Sequence, residues 1–253
     1  MKKYLKYKHE SINPTILDLG ANAGLEAIKL FNEFGATDSK VVLVEPIIEN
    51  VFEIMKNVFK HKLENNFFVE NCAIDLNSGY KQFGYHKSAG MFGRLNGSLD
   101  EFNWKKWNYT GNRTVRIKTL EEICPKPNIV KIDIERYEYT ILPKLVKNTN
   151  IDIIFCELHG PCYPLNIKEF ISSCLENTGL VATGYYQCSQ NQSGGEDCYT
   201  EIAPPEIIQQ SDYKYVIMER NQFSTRRAPR RSNSANFPRF LPPNRGNLIC
   251  QKL

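Results

Sequence analysis

Long apolar runs are missing from this sequence of 253 residues. No stretch reaches the roughly 18 apolar residues that a membrane-spanning helix requires, so a transmembrane protein is not expected. The N-terminal segment 1–10 is basic, but no apolar stretch follows it, which argues against a secretory signal. We therefore expect a cytoplasmic protein, with a viral or lumenal setting as the alternative.

The sequence also lacks closely spaced cysteine pairs, and it lacks acidic residues near its C-terminus. The eight cysteines contain no Cys-x-x-Cys spacing, which excludes the usual zinc knuckle. Residues 221–253 contain seven basic residues and no acidic residue, whereas the preceding residues carry slightly more acidic than basic side chains. This segment is rich in Arg, Pro, Ser and Asn, a composition typical of disorder. We expect one domain over residues 1–220, followed by a disordered basic tail over 221–253.

Strand candidates alternate with amphipathic helix candidates along the domain. This pattern predicts an α/β fold that is doubly wound, with helices on both faces of a mostly parallel, seven-stranded sheet. Helices are predicted after the first, second, fourth and fifth strands, the second of them opened by Pro46. The predicted strands are 15–19, 40–44, 67–74, 128–134, 151–157, 180–186 and 213–218.

A long segment, residues 75–127, separates the third and fourth predicted strands. It is rich in Gly, Asn and aromatic residues, and it predicts a β-rich insertion of a length that is usually functional. Together with loop 187–204 it is expected to form the pocket for the acceptor substrate. Its aromatic residues either stack on a sugar or another planar ligand or form the insertion's own core. The candidates are Tyr85, Trp104, Trp107 and Tyr109.

The strongest local signal is the segment 18–24, Asp-Leu-Gly-Ala-Asn-Ala-Gly, between the first strand and its helix. Its glycines permit close backbone approach to a ligand, and the helix N-terminus offers free N–H groups. In a doubly wound sheet this turn lies at the switch point where nucleotide-like ligands bind. Glu45 ends the second strand about 20 residues further on, where a carboxylate can accept hydrogen bonds from both ribose hydroxyls.

NAD and S-adenosylmethionine both match such a site. The loop lacks the G-x-G-x-x-G spacing of NAD-binding proteins, because Leu25 and Ala27 occupy the later positions. The pyrophosphate of NAD requires close approach to a glycine backbone more than the sulfonium amino acid of S-adenosylmethionine does. S-adenosylmethionine is therefore the predicted cofactor.

Charged residues cluster where the fourth and fifth predicted strands end. Lys131, Asp133 and Glu135 end the fourth strand, and Glu157 and His159 end the fifth. Charged residues in an apolar strand rarely serve packing alone, although an internal lysine–carboxylate network is the structural alternative. Asp133 is predicted to lie nearest the transferred methyl group. Glu157 and His159 are further catalytic candidates, and His159 is either the base or a hydrogen-bonded bystander.

A metal ion is also compatible with Asp133, Glu157 and His159 by ligand type. Their spacing does not require one, so no metal site is predicted from the sequence.

Three segments resemble motifs of the FkbM-type methyltransferase family. They are residues 16–24 (Ile-Leu-Asp-Leu-Gly-Ala-Asn-Ala-Gly), 44–46 (Val-Glu-Pro, with Asn57 downstream) and 130–138 (Val-Lys-Ile-Asp-Ile-Glu-Arg-Tyr-Glu). Their order and spacing are similar to the family's across residues 15–160. The resemblance implies a class I methyltransferase (Rossmann-like) fold, S-adenosylmethionine as the cofactor, and O-methylation of a hydroxyl, often on a sugar or natural product.

The resemblance also implies which residues contact the cofactor. The adenine is expected beside the end of the third strand, and Arg136 departs from the family pattern Asp-x-Glu-Gly-x-Glu by replacing its glycine. That arginine either pairs with an acidic substrate or signals altered or lost activity. The implied cofactor-binding residues are Asp18, Gly20, Asn22, Gly24, Glu45, Ala73, Ile74 and Asp133.

Two rival functions stay open at this stage. One is a degenerate methyltransferase fold that binds a ligand without turnover, and the other is an RNA methyltransferase recruited through the basic tail. The sequence lacks the Asn/Asp-Pro-Pro-Tyr type of base-methylating motif, and a solvated tail explains the charge as well. A small-molecule or carbohydrate acceptor is therefore favoured over nucleic acid, and the oligomeric state is not predicted.

Overall fold

The computed structural model describes residues 13–85, 93–95, 111–159, 167–189, 198–201 and 213–220. These residues form two β-sheets and five helices. The main sheet contains β1 (Thr15–Leu19), β2 (Lys40–Val44), β3 (Phe67–Glu70), β8 (Ile129–Ile132), β9 (Ile153–His159), β10 (Leu180–Ser189), β11 (Cys198–Glu201) and β12 (Tyr213–Arg220). The second sheet contains β4 (Ala73–Ile74), β5 (Gly79–Tyr85), β6 (Gly93–Leu95) and β7 (Gly111–Lys118). The helices are α1 (Leu25–Phe34), α2 (Ile48–Lys60), α3 (Leu120–Ile123), α4 (Glu138–Leu145) and α5 (Ile167–Leu175).

The strand order of the main sheet is β11-β10-β12-β9-β8-β1-β2-β3. Strands β3, β2, β1, β8 and β9 pair in parallel, and β12 is antiparallel between β9 and β10. The predicted α/β fold with a mostly parallel sheet is confirmed, and each of the seven predicted strands is present in the main sheet at least in part. β11 adds an eighth, antiparallel strand at the edge beside β10.

Buried apolar residues lie on both faces of the main sheet, as the doubly wound pattern predicts. Alternation along β1 places Ile16 in one cluster and Leu17 in the other. The cluster with Ile16 includes Ala27 of α1 and Ile54 of α2. The opposite cluster includes Leu142 of α4, together with residues of α5 and of the second sheet. Burial of these two faces positions the carboxyl ends of the parallel strands along one edge.

The third predicted strand, 67–74, is wrong in its C-terminal half. The chain turns after β3, where the Cys72 N–H donates to the Glu70 carbonyl at 2.9 Å. Ala73 and Ile74 then pair in parallel with β7 of the second sheet instead of continuing β3. An apolar stretch has the same strand signature in either sheet, so the sequence pattern does not reveal the change of partner.

The second predicted helix begins two residues later than proposed. Pro46 was expected in its first turn, but Ile47 is extended (φ −89°, ψ 114°) and α2 starts at Ile48. The Ile47 N–H donates to Glu45 Oε1 at 2.9 Å, which holds this residue outside the helix. The turn between β2 and α2 is therefore shaped by Glu45.

The described part of the insertion 75–127 consists of β5, β6, β7 and α3. Tyr85 lies beneath the Arg113 guanidinium, 4.3 Å from ring centre to Cζ. The other aromatic candidates, most of loop 187–204 and the basic tail lie outside the described residues. Within the described ranges, no helix has the length and apolarity needed to cross a membrane.

Candidate active site

The loop between β1 and α1 lies against the end of β8. Gly20 has φ +81°, and a Cβ at this position would meet the Asp133 carbonyl oxygen at 1.8 Å. Gly24 has φ +74° and immediately precedes α1. These two glycines fix the loop path because side-chain-bearing residues rarely adopt such backbone angles and Gly20 has no room for a Cβ. The loop occupies the switch point between β1 and β8, where the sheet order reverses direction.

Glu45 binds the loop from the end of β2. Its Oε2 accepts the Asn22 N–H at 2.9 Å, while Oε1 accepts the Ile47 N–H at 2.9 Å and Asn50 Nδ2 at 3.2 Å. Asn57 of α2 donates from Nδ2 to the Ala23 carbonyl at 2.9 Å. The loop is therefore held in place before any ligand binds. Burial raises the pKa of Glu45 to about 7, although the hydrogen bonds from Ile47, Asn22 and Asn50 favour its charged form.

Lys131 of β8 is buried among carboxylates. Its Nζ lies 3.3 Å from Asp18 Oδ1, 3.3 Å from Glu26 Oε2 and 3.3 Å from Asp133 Oδ2. It also donates to the Gly20 carbonyl at 3.1 Å. Burial alone would lower the pKa of Lys131, but Asp18, Asp133 and Glu26 raise it well above its usual value. The internal lysine–carboxylate network considered from the sequence is thus present, and it links the loop to the end of β8.

Asp18 is the deepest member of this network. It is fully buried, and among the described residues neither carboxylate oxygen has a hydrogen-bond partner of good geometry. Burial raises the pKa of Asp18 to about 6 despite the attraction of Lys131. Its position beneath the loop argues for an indirect effect on a ligand, through Lys131 and the loop.

His159, at the end of β9, lies among four carboxylates. Its Nδ1 is 2.8 Å from Glu138 Oε1, and its Nε2 is 3.6 Å from Asp133 Oδ1. The same Nε2 is 3.8 Å from Glu157 Oε1 and 3.9 Å from Glu135 Oε2. The three candidates Asp133, Glu157 and His159 therefore meet at one edge.

The charges of this cluster are strongly coupled. Burial opposes a protonated imidazole, but Glu135, Glu138 and Asp133 raise the pKa of His159 well above its usual value. Burial and the charge of Asp133 raise the pKa of Glu157 to about 8. Asp133 is also buried enough to disfavour its charge, yet Lys131 and His159 hold its pKa below the usual value. In this arrangement His159 is an imidazolium, which does not match the role of a free base, and Asp133 is the ionised carboxylate.

The turn after β8 has an unusual backbone. Glu135 (φ +53°) and Arg136 (φ +78°) both adopt left-handed conformations without being glycine. The Ile134 N–H donates to Glu138 Oε1 at 3.0 Å, which closes the turn onto α4. Arg136 therefore keeps a backbone angle that suits the glycine it replaces, so the departure changes the side chain more than the chain path.

The adenine-side candidates lie near Glu45. Asn71 Nδ2 donates to the Glu45 carbonyl at 2.9 Å, and the Glu45 N–H donates to the Glu70 carbonyl at 3.1 Å. Ala73 and Ile74 come after Asn71 and Cys72 and are buried. Their placement beside an adenine stays a prediction.

The structure thus gathers the predicted residues into two adjoining groups. Around the loop are Asp18, Gly20, Asn22, Gly24 and Glu45, and at the tips of β8 and β9 are Asp133, Glu157 and His159. Sequence reasoning named Glu138 and Asn57 only in passing and gave neither a role. The one available signal for Glu138 was its place one turn after Asp133 and Glu135. Its contact with His159 depends on the fold.

The family model described as "Methyltransferase FkbM domain" matches residues 18–176, more than half of the chain. No match was found among curated protein sequences.

Similar solved structures include a precorrin-6y C5,15-methyltransferase from Geobacter metallireducens, with 11% identity over 86% of this chain and 85% of that chain (TM-score 0.42). Methyltransferase FkbM from Methylobacillus flagellatus has 15% identity over 81% of this chain and 43% of that chain (TM-score 0.44). This chain therefore spans less than half the length of that protein. The fibrillarin pre-rRNA processing protein of Methanococcus jannaschii has 12% identity over 82% of this chain and 66% of that chain (TM-score 0.42).

Proposed function

Because the chain belongs to the FkbM methyltransferase domain family, we propose that it transfers the methyl group of S-adenosylmethionine to a hydroxyl of a small molecule or glycan. The observation that carries this proposal is the clamped loop at the switch point. Glu45 accepts the Asn22 N–H, and Gly20 packs on the Asp133 carbonyl. A preformed loop of this kind binds a nucleoside ligand without a large ordering cost.

The cofactor would lie across the strand tips from β1 to β3. Its amino-acid end would contact the loop between Gly20 and Gly24, and its ribose hydroxyls would face Glu45. Glu45 Oε1 already accepts two hydrogen bonds, from Ile47 and Asn50, whereas Oε2 accepts only the Asn22 N–H among the described residues and keeps a lone pair for a ribose hydroxyl. Ala73 and Ile74 would border the adenine. Asp18 would act as a positioning residue beneath the loop.

Methyl transfer is an in-line displacement that needs a positioned acceptor and a site for its proton. Bound S-adenosylmethionine would supply an electrophilic methyl group to the acceptor hydroxyl and would leave as S-adenosylhomocysteine. Asp133 takes the hydroxyl proton, because its carboxylate is ionised and its side chain is 28% exposed at the edge. His159 and Lys131 stabilise the ionised form of Asp133 from either side.

The acceptor class comes from the family resemblance and not from a described pocket. Tyr85, one of the proposed stacking residues, has its ring covered by Arg113, so a role in the insertion's own packing fits it better. The cytoplasmic setting, the domain limits and the preference for a small-molecule or carbohydrate partner over nucleic acid stay predictions.

The direct test is transfer of a labelled methyl group from S-adenosylmethionine to a panel of hydroxyl, amine and carbon acceptors. We expect label on a hydroxyl, and a loss of about 100-fold or more in kcat for Asp133→Asn with unchanged S-adenosylhomocysteine affinity. Asp38→Asn, which alters an exposed aspartate far from Asp133 in the sequence, is the matched control and should keep full activity. Label found only on nitrogen or carbon acceptors would overturn O-methylation.

A second candidate function, a binding protein without turnover, is motivated by Arg136. A long cationic side chain occupies a left-handed position at the mouth of the site. If S-adenosylmethionine binds but no acceptor is labelled, Arg136→Gly distinguishes the two candidates. Transfer that appears in this variant would assign the loss of activity to Arg136.

A further inference from the structure

The tips of β8 and β9 bring nitrogen and oxygen donors together. One donor atom each from Asp133, Glu135 and His159 lies within 4.8 Å of the others. His159 Nε2 is 3.6 Å from Asp133 Oδ1, 3.9 Å from Glu135 Oε2 and 3.8 Å from Glu157 Oε1. The imidazole nitrogen therefore faces three carboxylates at similar distances.

These distances suit a shared ion. Neighbouring ligand atoms that each lie about 2.1 Å from a six-coordinate metal are roughly 3.0 Å apart. The three donor pairs that include His159 Nε2 are 3.6–3.9 Å apart, and the donors of Asp133, Glu135 and His159 all lie within 4.8 Å of one another. The pairs must therefore close by at most about 1.8 Å to share an ion, which rotation of the partly exposed side chains can supply. The side chains of Asp133, Glu135 and Glu157 are 28%, 24% and 19% exposed, so an ion can enter from the edge of the sheet.

Glu138 provides a second, independent observation. It is fully buried, and its Oε1 lies 2.8 Å from His159 Nδ1, the ring nitrogen opposite the cluster. Metal-binding histidines almost always donate their other N–H to such an oxygen, which fixes the ring orientation. The second oxygen, Oε2, is buried with no hydrogen-bond partner among the described residues. Glu138 thus holds the ring of His159 so that Nε2 faces the three carboxylates, as a metal-binding nitrogen requires.

We propose that Asp133, Glu135 and His159 bind a divalent cation, with Glu157 as a further ligand and Glu138 as the residue that orients His159. One imidazole combined with carboxylates favours a cation such as Mn²⁺, since carboxylates suit Mg²⁺, Ca²⁺ and Mn²⁺ while imidazole suits transition metals. The cation takes the place of the proton on Nε2.

The cation site would also have a role in the proposed methyl transfer, and that role rests on the proposed function. A cation bound by Asp133 Oδ1 would lie next to the position proposed for the acceptor hydroxyl. It would orient this hydroxyl and make it more acidic, so that its proton leaves more readily.

The test is a titration of the full chain with Mn²⁺, followed by electron paramagnetic resonance, with neither cofactor nor acceptor present. We expect one saturable ion per chain. Affinity should fall at least 100-fold in His159→Gln and about 10- to 100-fold in Glu138→Gln, the usual effect of removing an outer-shell partner. His61→Gln and Glu53→Gln change exposed residues of the same types at α2 and should bind Mn²⁺ like the unchanged protein.

Glu135→Gln is the second test, because its side chain lies at the edge and its replacement should leave the fold intact. Loss of Mn²⁺ binding in this variant, with an unchanged melting temperature, supports the site. Absence of saturable binding in the unchanged protein, or binding by His159→Gln and Glu135→Gln as tight as that of the unchanged protein, would overturn it. Because the readout is metal binding alone, methyl transfer can fail while the ion binds, and the two proposals are judged separately.

Discussion

The carboxyl edge of the main sheet has two halves built on different principles. At the tips of β1 and β2, backbone groups are held by hydrogen bonds, such as the Asn22 N–H on Glu45 and Asn57 on the Ala23 carbonyl. At the tips of β8 and β9, charged side chains face one another, with His159 Nε2 at 3.6–3.9 Å from three carboxylates. We call these the loop half and the charged half.

The loop half depends on backbone shape, whereas the charged half depends on ionisable side chains. The loop half has its conformation fixed by glycines and neutral donors, as a binding surface for a ligand requires. The charged half concentrates ionisable groups whose protonation depends on one another, as proton transfer or ion binding requires. Lys131 joins the halves, because it contacts the Gly20 carbonyl on one side and Asp133 on the other.

The largest effect on stability is expected from Lys131→Met. This change leaves Asp18, Glu26 and Asp133 without their shared cation, and breaking a buried ion pair costs about 3–5 kcal/mol. Lys144→Met is the matched control, because its partner Glu121 and Lys144 itself are 58% and 42% exposed and such pairs contribute about 0–1 kcal/mol. Urea unfolding measures both. Equal losses would mean that Lys131 does not join the halves energetically.

The next effect concerns the loop half and compares Gly20→Ala with Gly24→Ala. Both residues have positive φ, which costs a side-chain-bearing residue about 1–2 kcal/mol. Only Gly20 places its new Cβ 1.8 Å from the Asp133 carbonyl oxygen, whereas at Gly24 the nearest atom is 3.4 Å away on Ile54. We expect Gly20→Ala to lower the melting temperature more than Gly24→Ala does. We also expect it to bind S-adenosylhomocysteine at least tenfold more weakly than Gly24→Ala does. Indistinguishable variants would refute the close packing of the halves.

A third prediction concerns the pH dependence of stability at Glu45. Burial raises its pKa to about 7 from the ordinary 4.5, so the folded chain keeps a proton that the unfolded chain releases between these values. Folding stability from this group is therefore full below about pH 4.5 and declines as pH rises to about 7. Melting temperatures recorded from pH 5 to pH 8 should fall less steeply in Glu45→Gln than in the unchanged protein. Parallel profiles would contradict the raised pKa.

The smallest effect is expected from Asn57→Ala, which removes one neutral hydrogen bond from the loop half. The Ala23 carbonyl loses its donor, and the expected cost is about 1 kcal/mol with a few-fold weaker S-adenosylhomocysteine binding. Asn65→Ala, at an exposed position between α2 and β3, controls for loss of an asparagine. A melting temperature as low as that of Gly20→Ala would show that the tether matters more than the loop path.

The sequence predicted the loop half better than the charged half. β1 and β2 have the predicted bounds, because a short apolar run flanked by turn residues can be recognised as a strand from neighbouring residues alone. Ala73 and Ile74 were misassigned to the third strand because their pairing with β7 involves residues far along the chain. Likewise, the sequence shows that Lys131 and Asp18 are charged, but it does not show that their side chains are in contact. The orientation of His159 by Glu138 requires β9 and α4 to be placed side by side.

Binding of S-adenosylhomocysteine, measured by isothermal titration calorimetry, tests the central claim that the clamped loop and Glu45 hold the amino-acid and nucleoside parts of the cofactor. We predict one saturable site per chain, at least tenfold weaker in Glu45→Ala. Glu49→Gln, which changes an exposed carboxylate on α2, should bind normally. The account is contradicted if the unchanged protein shows no binding, or if Glu45→Ala binds as tightly as Glu49→Gln.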